Sequence, residues 1–431
     1  MGIIADLEKV WEGEDSPFLI SVEKELRFSE IAAESPIDLS AVRPGDVVAL
    51  IGDFDPPSIQ TLLRLIDLGA IVVPLTEQTR NQHEYFFDAA VVDVVAENGE
   101  FRRREGNPPN EHVNTLRKRG HAGLVLFSTG TTGRPKAILH DMTWFLKRFG
   151  TPRPSLRTLN FLLFDHIGGL NTLLHTLYNR GVVIVPKART VDAVLETCAE
   201  HNVEVLPTTP TFLRLMLMSG AIPDRVPDSL RIITYGTERM DQPTLSQLCE
   251  LLPNVDFRQT FGMCELGILR VKSKQRDSLF MRVGGEGVET KVEDNILFIR
   301  SQSRMIGYLN ATSPFDDEGW YNTRDVVEVE DGCYKVTGRE NDVINVGGLK
   351  FMASEVELAA LDFPNVSLVK VYAKDNPITG QHVEIDVQAK DGAVVDKKAL
   401  RQHMKEALPA HMVPRRFHIG EVAMGHRFKK S

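Results

Sequence analysis

Short apolar runs separated by longer amphipathic stretches dominate the first part of the chain. The runs lie at Val47–Ile51, Ala70–Val73, Leu124–Phe127 and Val182–Val185. Apolar runs of this length are typical of buried strands, and the stretches between them are long enough for helices with one apolar face. This alternation predicts a layered α/β fold.

The pattern changes near residue 280, where apolar and polar residues alternate. Thr290–Glu293, Ile296–Arg300 and Val326–Glu330 all follow this period of two. Such alternation is typical of antiparallel strands that have one buried face. We therefore expect a small β-rich subdomain, roughly residues 280–337, after the α/β body.

Beyond residue 339 the sequence has the pattern of a separate α+β domain. Strands are expected at Ser367–Tyr372 and Val383–Gln388, and helices at Ala353–Leu361 and Lys397–Ala407. We divide the chain into a large N-terminal domain, residues 1–339, and a small C-terminal domain, residues 340–431. In the N-terminal part, Arg102–Pro109 combines charge with turn-forming residues and is predicted to be an exposed loop.

Composition and charge narrow the range of partners. Of the 431 residues 42 % are hydrophobic, which is ample for a sizeable core, and the formal net charge is −9. An acidic chain has no generic attraction to nucleic acid or to an anionic membrane, so a small-molecule partner is expected. The four cysteines form no CxxC pair, and we expect neither a secretory signal nor a membrane-spanning segment. These features predict a cytoplasmic protein.

A segment rich in hydroxyl residues and glycine follows the apolar run that ends at Phe127. It reads Ser128-Thr129-Gly130-Thr131-Thr132-Gly133-Arg134-Pro135-Lys136. Small residues leave backbone N–H groups accessible, and the hydroxyls and the lysine lie within reach of one polyphosphate. The spacing differs from the Walker A pattern, which disfavours a kinase or ATPase P-loop. The segment favours another kind of nucleoside-triphosphate binding, with a simple polar turn as the alternative.

Six more motifs follow in order, and the whole set resembles the adenylate-forming superfamily of acyl-CoA synthetases, peptide-synthetase adenylation domains and luciferases. They are Phe164-Asp165-His166-Ile167-Gly168-Gly169, Gly236-Thr237-Glu238, Thr260-Phe261-Gly262-Met263-Cys264-Glu265, Ile306-Gly307-Tyr308, Tyr321-Asn322-Thr323-Arg324-Asp325 and the segment from Gly338 to Gly348. The resemblance extends from about residue 120 to the C-terminus. It implies a mobile C-terminal domain and the use of ATP, Mg²⁺ and either coenzyme A or a carrier-protein phosphopantetheine.

The resemblance assigns nucleotide-binding roles to several of these residues. The loop from Ser128 to Lys136 would hold the β- and γ-phosphates, with the lysine supplying positive charge where negative charge develops. Glu265 would bind Mg²⁺, which commonly takes one carboxylate and several phosphate oxygens. Asp325 would accept hydrogen bonds from the ribose hydroxyls, and Arg339 would donate to the same nucleotide. Adenine-side contacts are expected from Gly236, Thr237, Glu238 and Phe261. Gly262 and Cys264 are expected to bind the same nucleotide, with position 264 on the phosphate side.

The Phe164 to Gly169 segment resembles the acyl-pocket segment of the family. His166 resembles the gate residue of aryl- and acyl-CoA ligases, although a lone histidine also has ordinary structural roles. Asp165 admits a second interpretation, because peptide-synthetase relatives use an aspartate in a similar position to bind an α-amino group. Gly168 continues the acyl-CoA ligase pattern, so a simple organic acid is the first choice of substrate.

The C-terminal residues carry the remaining catalytic expectations. By the family resemblance, ungapped counting from Pro414 places Lys430 at the position of the catalytic lysine, with Lys429 as the next candidate. A solvated basic tail is the alternative. Asn341 occupies the hinge position, near residues 340–342, and rotation there would bring Gly347 and Gly348 towards the thiol.

Departures from the family pattern leave three functions open. Cys264 stands where a threonine is usual, Arg324 stands where a glycine is usual, and the part before residue 120 is short. The first function is an acid–thiol ligase that activates a carboxylic acid with ATP and transfers the acyl group to coenzyme A. The second is a stand-alone adenylation enzyme that loads an acyl carrier protein, and the third is a nucleotide-binding protein with impaired catalysis. A homodimer is a further candidate assembly.

Overall fold

The computed structural model describes residues 2–22, 24–32, 37–128, 134–390 and 392–422. Its α-helices are α1 (Ile3–Val10), α2 (Phe28–Ala32), α3 (Pro56–Leu68), α4 (His83–Ala89), α5 (Glu111–Arg119), α6 (Met142–Lys147), α7 (Ile167–Tyr178), α8 (Val191–Glu200), α9 (Pro210–Met218), α10 (Gln242–Leu251), α11 (Ala353–Leu361) and α12 (Lys397–Ala407). Short 3₁₀ turns span Glu77–Gln82 and Glu340–Asp342.

The strands of the first part of the chain are β1 (Pro17–Ile20), β2 (Glu25–Arg27), β3 (Val47–Ile51), β4 (Ile71–Leu75), β5 (Val94–Glu97), β6 (Glu100–Arg103), β7 (Gly123–Phe127), β8 (Ala137–Asp141), β9 (Arg157–Leu159), β10 (Val182–Ile184), β11 (Val205–Thr208), β12 (Ile232–Tyr235) and β13 (Asp256–Gln259). The remaining strands are β14 (Gly262–Met263), β15 (Gly267–Ile268), β16 (Arg270–Ser273), β17 (Met281–Gly284), β18 (Val288–Glu293), β19 (Ile296–Ser301), β20 (Gly307–Tyr308), β21 (Tyr321–Glu330), β22 (Cys333–Arg339), β23 (Val343–Val346), β24 (Leu349–Met352), β25 (Val366–Asn376), β26 (Gly380–Ala389) and β27 (Arg416–Ile419).

Two seven-stranded sheets form the body of the molecule. The first has the order β13-β12-β11-β9-β10-β1-β2 and is parallel except for the β1–β2 hairpin. The second has the order β20-β8-β7-β4-β3-β5-β6, with a parallel centre and antiparallel edges. Parallel strands need crossover connections, which the intervening helices supply. The predicted α/β fold class is confirmed.

Helices cover both faces of the two sheets. One core cluster joins α1, α3 and α7 to strands of both sheets, so these helices lie between the sheets. A second cluster packs α8, α9 and α10 on the outer face of the first sheet, and a third packs α4 and α5 on the outer face of the second. Because both faces of each central strand are buried, their sequences are apolar at nearly every position.

Local sequence sets where individual helices begin, as α3 illustrates. The carboxylate of Asp55 accepts a hydrogen bond from the Ser58 backbone N–H over 2.8 Å, and Pro56 is the first helical residue. An aspartate at the N-cap satisfies an amide that has no partner within the helix, and proline loses nothing at this position. The helix therefore starts immediately after strand β3 and its short connection.

A six-stranded antiparallel sheet follows, in the order β16-β17-β22-β21-β19-β18. It contains the three strands predicted from alternation, and it begins at Arg270, earlier than the expected residue 280. The β14–β15 hairpin precedes it and lies against α7. This sheet carries the motif that ends at Asp325 and the arginine at position 339.

The C-terminal residues form a five-stranded sheet with a core of its own. Strands β24, β23, β26 and β25 are adjacent in that order, and β27 pairs in parallel with β26. Helices α11 and α12 pack on this sheet around residues such as Val356, Leu400 and Met404. Both helices have the bounds predicted from the sequence.

The predicted loop at Arg102–Pro109 is partly wrong. Arg102 and Arg103 belong to β6, which forms a hairpin with β5 through Asn98 and Gly99, both at positive φ. Asn-Gly is the preferred sequence for this type of turn. The Arg103 guanidinium forms an ion pair with the Asp46 carboxylate over 2.7 Å. This arginine therefore lies on a sheet edge and pairs with an acid there.

None of the helices in the described ranges combines the length and the apolar character that crossing a bilayer would require. The cytoplasmic location stays a prediction.

Candidate active site

The base of the predicted phosphate loop is closed by contacts between its two ends. Ser128 N–H donates to the Lys136 carbonyl over 3.1 Å, and Lys136 N–H donates to Ser128 Oγ over 3.0 Å. These residues continue the buried β7 and β8 strands, which hold the two ends side by side. Thr129, Gly130, Thr131, Thr132 and Gly133 lie outside the described residues.

Two side chains from distant elements clamp the same base. The Tyr85 hydroxyl donates to the Pro135 carbonyl over 2.6 Å, and Asn310 Nδ2 donates to the same carbonyl over 3.2 Å. Asn310 Oδ1 also accepts from the Ala137 N–H over 2.9 Å. The start of β8 is therefore fixed from both sides, which leaves the predicted phosphate-binding residues on an anchored base.

Tyr308 connects the predicted phosphate and metal residues. Its hydroxyl donates to Glu265 Oε1 over 2.7 Å, and Lys136 Nζ lies 4.9 Å from the centre of its ring. Strand β20 holds Tyr308 against β8, opposite Ile138. Burial and the neighbouring carboxylate raise the pKa of Tyr308, so its hydroxyl remains a donor at neutral pH.

Glu265 is buried, with an exposed fraction of 8 %. Its carbonyl accepts from the Met305 N–H over 2.8 Å, which ties the β14–β15 hairpin to the segment before β20. Within the described residues, the recorded hydrogen bond to the carboxylate is the one that Tyr308 makes to Oε1. The tyrosine hydroxyl therefore fixes the orientation of this carboxylate without pairing it with a cationic side chain.

Asp325 and Arg339 face each other on adjacent strands. They are directly opposite in the β21–β22 ladder, and Arg339 Nε donates to Asp325 Oδ1 over 3.1 Å. Asp325 is buried, and burial raises the pKa of its carboxyl, while Arg339 opposes that shift. Burial and the charge of Glu265 raise the pKa of Tyr321, and Asp325 contributes in the same direction.

Two residues of the predicted nucleotide motifs adopt left-handed backbone conformations. Arg324 has φ of 59° and Thr237 has φ of 70°. Such values are uncommon for residues other than glycine and cluster at functional sites. Arg324 is exposed, and its N–H donates to Asn322 Oδ1 over 2.7 Å, so its side chain is directed to solvent. The positive φ also explains why a glycine suits this position.

The Gly236 to Glu238 turn lies at the carboxyl end of β12. A Cβ on Gly236 would lie 2.0 Å from Thr260 Oγ1, so only glycine allows the ends of β12 and β13 to approach so closely. Glu238 Oε1 accepts from the Thr211 N–H over 2.8 Å. This carboxylate therefore caps the first turn of α9, in addition to any contact with a nucleotide.

The Phe261 to Glu265 motif contains β14 and part of the turn that leads to β15. Phe261 is half-buried against the six-stranded sheet, and Gly262 is exposed. The Cys264 carbonyl accepts from His140 Nε2 over 2.7 Å. Burial lowers the pKa of His140 to about 4, so its ring is neutral at physiological pH. The backbone of the motif is thus fixed to β8.

The predicted acyl segment forms the start of α7. His166 is the N-cap residue, and its Nδ1 accepts from the Gly168 N–H over 3.0 Å. Asp165 and His166 are both buried, with exposed fractions of 5 % and 9 %. His166 therefore has a structural role as a helix cap, and the predicted gate role stays a prediction.

The predicted hinge and thiol-side residues lie on the two sides of strand β23. Asn341 is exposed and belongs to the 3₁₀ turn between β22 and β23. Gly347 and Gly348 have φ of 62° and 90° and form the exposed turn of the β23–β24 hairpin. Two successive positive φ values are what a two-residue hairpin turn requires. Lys429 and Lys430 lie outside the described residues.

The structure thus joins Lys136 and Glu265 through Tyr308, and it pairs Asp325 with Arg339; Tyr321 is near enough to Glu265 and Asp325 for both to raise its pKa. Sequence reasoning quoted both tyrosines within motifs but gave them no role. It missed Tyr85, His140 and Asn310. Asn310 follows shortly after the Ile306-Gly307-Tyr308 motif, whereas Tyr85 and His140 carry no sequence signal that we recognise.

Comparisons with known proteins agree with this geometry. Residues 45–297 match the family model described as AMP-binding enzyme. A salicylyl-CoA synthase / salicylate adenylyltransferase from Streptomyces sp. is 28 % identical over 315 residues, which cover 65 % of this chain and 56 % of that protein. A 2-succinylbenzoate–CoA ligase from Bacillus licheniformis is 26 % identical over 327 residues, which cover 69 % of this chain and 66 % of that protein. The chain thus spans less than two thirds of the length of these relatives.

Solved structures extend the similarity over the whole chain. The anthranilate CoA ligase AuaEII in complex with anthranoyl-AMP superposes with a TM-score of 0.83, at 18 % sequence identity, over 99 % of this chain and 95 % of that chain. This likeness shows a common fold. Because the family model covers more than half of the residues, the chain belongs to the AMP-binding enzymes of the adenylate-forming superfamily, as its motifs predicted.

Proposed function

We propose that the protein activates a small-molecule carboxylic acid with ATP and then transfers the acyl group to coenzyme A. The observation that carries this proposal is the series of contacts from Lys136 through Tyr308 to Glu265. It sets a cation suited to phosphate oxygens beside a buried carboxylate suited to Mg²⁺. Relatives named as CoA ligases support the same chemistry.

The donor set fits the nucleotide and the metal. Glu265 offers a buried carboxylate whose Oε1 is already oriented, which suits a hard cation that also binds substrate phosphates. Mg²⁺ would neutralise part of the phosphate charge there. Asp325 offers acceptor oxygens on β21, to which two ribose hydroxyls would donate. The exposed side chain of Arg339 can donate to the same nucleotide.

In the first half-reaction, a carboxylate oxygen of the acid attacks the α-phosphorus of ATP. The bond from that phosphorus to the bridging oxygen breaks, and pyrophosphate leaves. Lys136 and the loop that it ends would hold the β- and γ-phosphates, while Lys430 would place a positive charge near the attacking carboxylate and the α-phosphate. The product is an acyl-adenylate.

In the second half-reaction, the thiol sulfur attacks the acyl carbon and AMP leaves. The thiol proton passes to solvent or a nearby base, and the product is a thioester. Rotation at Asn341 would withdraw Lys430 and bring the Gly347–Gly348 turn towards the thiol. The exposed position of that turn supports this assignment.

For the acid itself, we propose a simple organic acid rather than an amino acid. Several relatives are named for aryl acids, including salicylate, 2-succinylbenzoate and ferulate. Asp165 would then support the segment that carries His166, and would not pair with a substrate ammonium.

A pyrophosphate-release screen over fatty, aryl, hydroxy and amino acids tests the proposal, with acyl-CoA measured by mass spectrometry. We expect release with an organic acid and, on adding coenzyme A, its thioester. Labelling of a carrier protein without acyl-CoA would favour the stand-alone adenylation enzyme. If none of the acids causes pyrophosphate release, a nucleotide-binding protein with impaired catalysis would be favoured.

A further inference from the structure

A cluster of basic side chains lies at the C-terminal half of α7, away from the nucleotide residues. It comprises Arg148, Arg153, His175 and Arg270, and we call it the basic cluster. The Arg148 guanidinium stacks 5.7 Å from the ring centre of Phe149 and donates to the Ile268 carbonyl. Phe149 in turn lies 6.2 Å from the His175 ring.

The charges of the basic cluster are not compensated within the described part of the chain. Within the described residues, the hydrogen bond of the Arg148 guanidinium goes to the Ile268 carbonyl and not to a carboxylate. Burial, and then Arg270, lower the pKa of Arg148 to about 10. Burial, Arg148 and Arg153 lower the pKa of His175. Like charges held near one another repel and favour a bound counter-ion, and Arg148, the half-buried member of the cluster, would gain most from one.

One face of α7 connects the basic cluster to the predicted acyl segment. Gly168, Asn171 and His175 are spaced three and four residues apart, so they lie on the same side of the helix. This side includes Asn171, whose Oδ1 is buried and has no hydrogen-bond partner in the described residues. α7 packs here against β15, whose Ile268 carbonyl holds Arg148.

The length of this helix face sets the distance between the predicted acyl segment and the basic cluster. Seven residues separate Gly168 from His175, and an α-helix rises about 1.5 Å per residue, so the two ends lie about 10 Å apart. If the reacting carboxylate lies near His166, a substrate as long as this helix face would place its far end at the basic cluster. Arg153 and Arg270 are exposed, so this far end would lie at the solvent edge.

We propose that the acid carries a second anionic group, a carboxylate or sulfonate about 10 Å from the reacting carboxylate, and that the basic cluster binds it. The inference rests on the proposed function and narrows it to acids with two anionic ends. The second anion would supply the missing counter-charge for Arg148 and its neighbours.

The test compares each dicarboxylic acid with its own mono-methyl ester, which has the same length and one charge fewer. Pyrophosphate release gives kcat/KM for straight-chain acids of six to ten carbons. We expect the wild type to prefer the dicarboxylic acid by at least about tenfold, with an optimum length. Hydrogen bonds to charged groups contribute about 1.5–3 kcal/mol, so Arg148→Gln should reduce kcat/KM for the dicarboxylic acid by about 10- to 100-fold.

The half-ester is the internal control, because its kcat/KM should change by less than about twofold in the same variant. Arg148 also packs on aromatic rings, so the exposed Arg153 supplies a second variant. Arg153→Gln should also reduce kcat/KM for the dicarboxylic acid. Lys147→Gln removes a neighbouring cation that stacks on Trp144 and should leave the preference unchanged.

Two outcomes would overturn the inference in distinguishable ways. Equal use of dicarboxylic acids and half-esters by the wild type would contradict the second anionic group and leave the proposed function standing. An unchanged preference in both Arg148→Gln and Arg153→Gln would contradict the basic cluster as the binding site. If no acid of any class causes pyrophosphate release, the proposed function is overturned, and the inference with it.

Discussion

Asp325 is placed where its charge costs the unliganded protein stability. The side chain is 4 % exposed, and burial raises the pKa of its carboxyl above the ordinary 3.8, with Arg339 opposing part of the shift. The protonated form therefore favours folding. That contribution is present below pH 3.8 and is lost as the pH rises through the folded-state pKa. A buried anion of this kind suits a site that receives hydroxyl donors.

We predict that Asp325→Asn raises the melting temperature of the unliganded protein at pH 7 while weakening nucleotide binding. The amide removes the buried charge, and it offers the ribose hydroxyls only one acceptor oxygen. Loss of charged hydrogen bonds should raise KM for ATP by about 10- to 100-fold. Thermal unfolding followed from pH 7 to pH 3 checks the first effect, because the difference from wild type should vanish near pH 3.8 and below. A lower melting temperature at pH 7 would contradict this account of Asp325.

Tyr308 is expected to act as a positioning residue for Glu265. Tyr308→Phe removes the donor to Oε1 and leaves the ring beneath Lys136. We predict a loss in kcat of about tenfold and a higher Mg²⁺ concentration for half-maximal rate, because the carboxylate loses its orientation. Tyr334→Phe is the matched control, since that hydroxyl contacts Thr290 on the six-stranded sheet. An unchanged Mg²⁺ requirement would show that Tyr308 does not orient the carboxylate.

For individual residues, the sequence was enough to predict the chemistry of a side chain but not its contacts with other side chains. Glu265 and Asp325 were recognisable because each lies in a motif of fixed local order. Tyr85 and Asn310 were not, because they are 225 residues apart in the chain and meet only across the folded sheet. Arg324 could be noted as unusual, whereas its positive φ could be known only from the fold.

Among the elements, the β7–β8 pair matters most for the proposed chemistry. Its strands fix the ends of the loop, and the Asn310 side chain joins the second end to the segment after β20. A loop that is anchored at its base loses less conformational freedom when it closes on phosphates.

We predict that Asn310→Ala raises KM for ATP about five- to tenfold, with little change in KM for the acid. The variant loses two hydrogen bonds to the loop base, each contributing about 0.5–1.5 kcal/mol. Steady-state kinetics with ATP and the acid varied separately check this. Asn107→Ala, which removes a comparable bond to the Val92 carbonyl, should leave both constants unchanged. An equal effect from both variants would point to general destabilisation.

Element bounds were predicted well where local pattern decides the structure. Helices α11 and α12 begin and end at the predicted residues, and strand alternation identified β18, β19 and β21. The run at Arg102 was misassigned as a loop, because charged residues suit a loop and an exposed edge strand alike. In the fold they lie on a sheet edge, where Asp46 and other acids pair with them.

Across the whole molecule, electrostatic contact links the α/β body to the C-terminal sheet. Arg239 follows the Gly236 to Glu238 turn, and burial lowers its pKa while Glu357 and Asp342 favour its charged form. The Ser354 hydroxyl also donates to the Thr337 carbonyl over 2.9 Å. These contacts are polar and local, so they can be exchanged for others at modest cost if the C-terminal part rotates.

We predict that Asn341→Pro retains formation of the acyl-adenylate and loses the thiol step. Proline would fix one backbone torsion in the 3₁₀ turn and remove an N–H. Single-turnover measurements of adenylate formation and of thioester formation from purified acyl-adenylate separate the two steps. Lys397→Pro, at the exposed first residue of α12, is the matched control, because proline is tolerated at that helix position, and it should spare both steps. Equal loss of both steps in Asn341→Pro would indicate misfolding or a different hinge.

The central claim is reversible formation of an acyl-adenylate, and isotope exchange of pyrophosphate into ATP without coenzyme A measures it most directly. The account predicts exchange that requires the acid. Lys430→Ala should reduce exchange by about 10²- to 10³-fold, because one charge near the transition state is lost. Lys429→Ala should change it by less than about threefold, and thioester formation from preformed acyl-adenylate should survive in both. No acid-dependent exchange in the wild type, over the full screen of acids, would contradict the account.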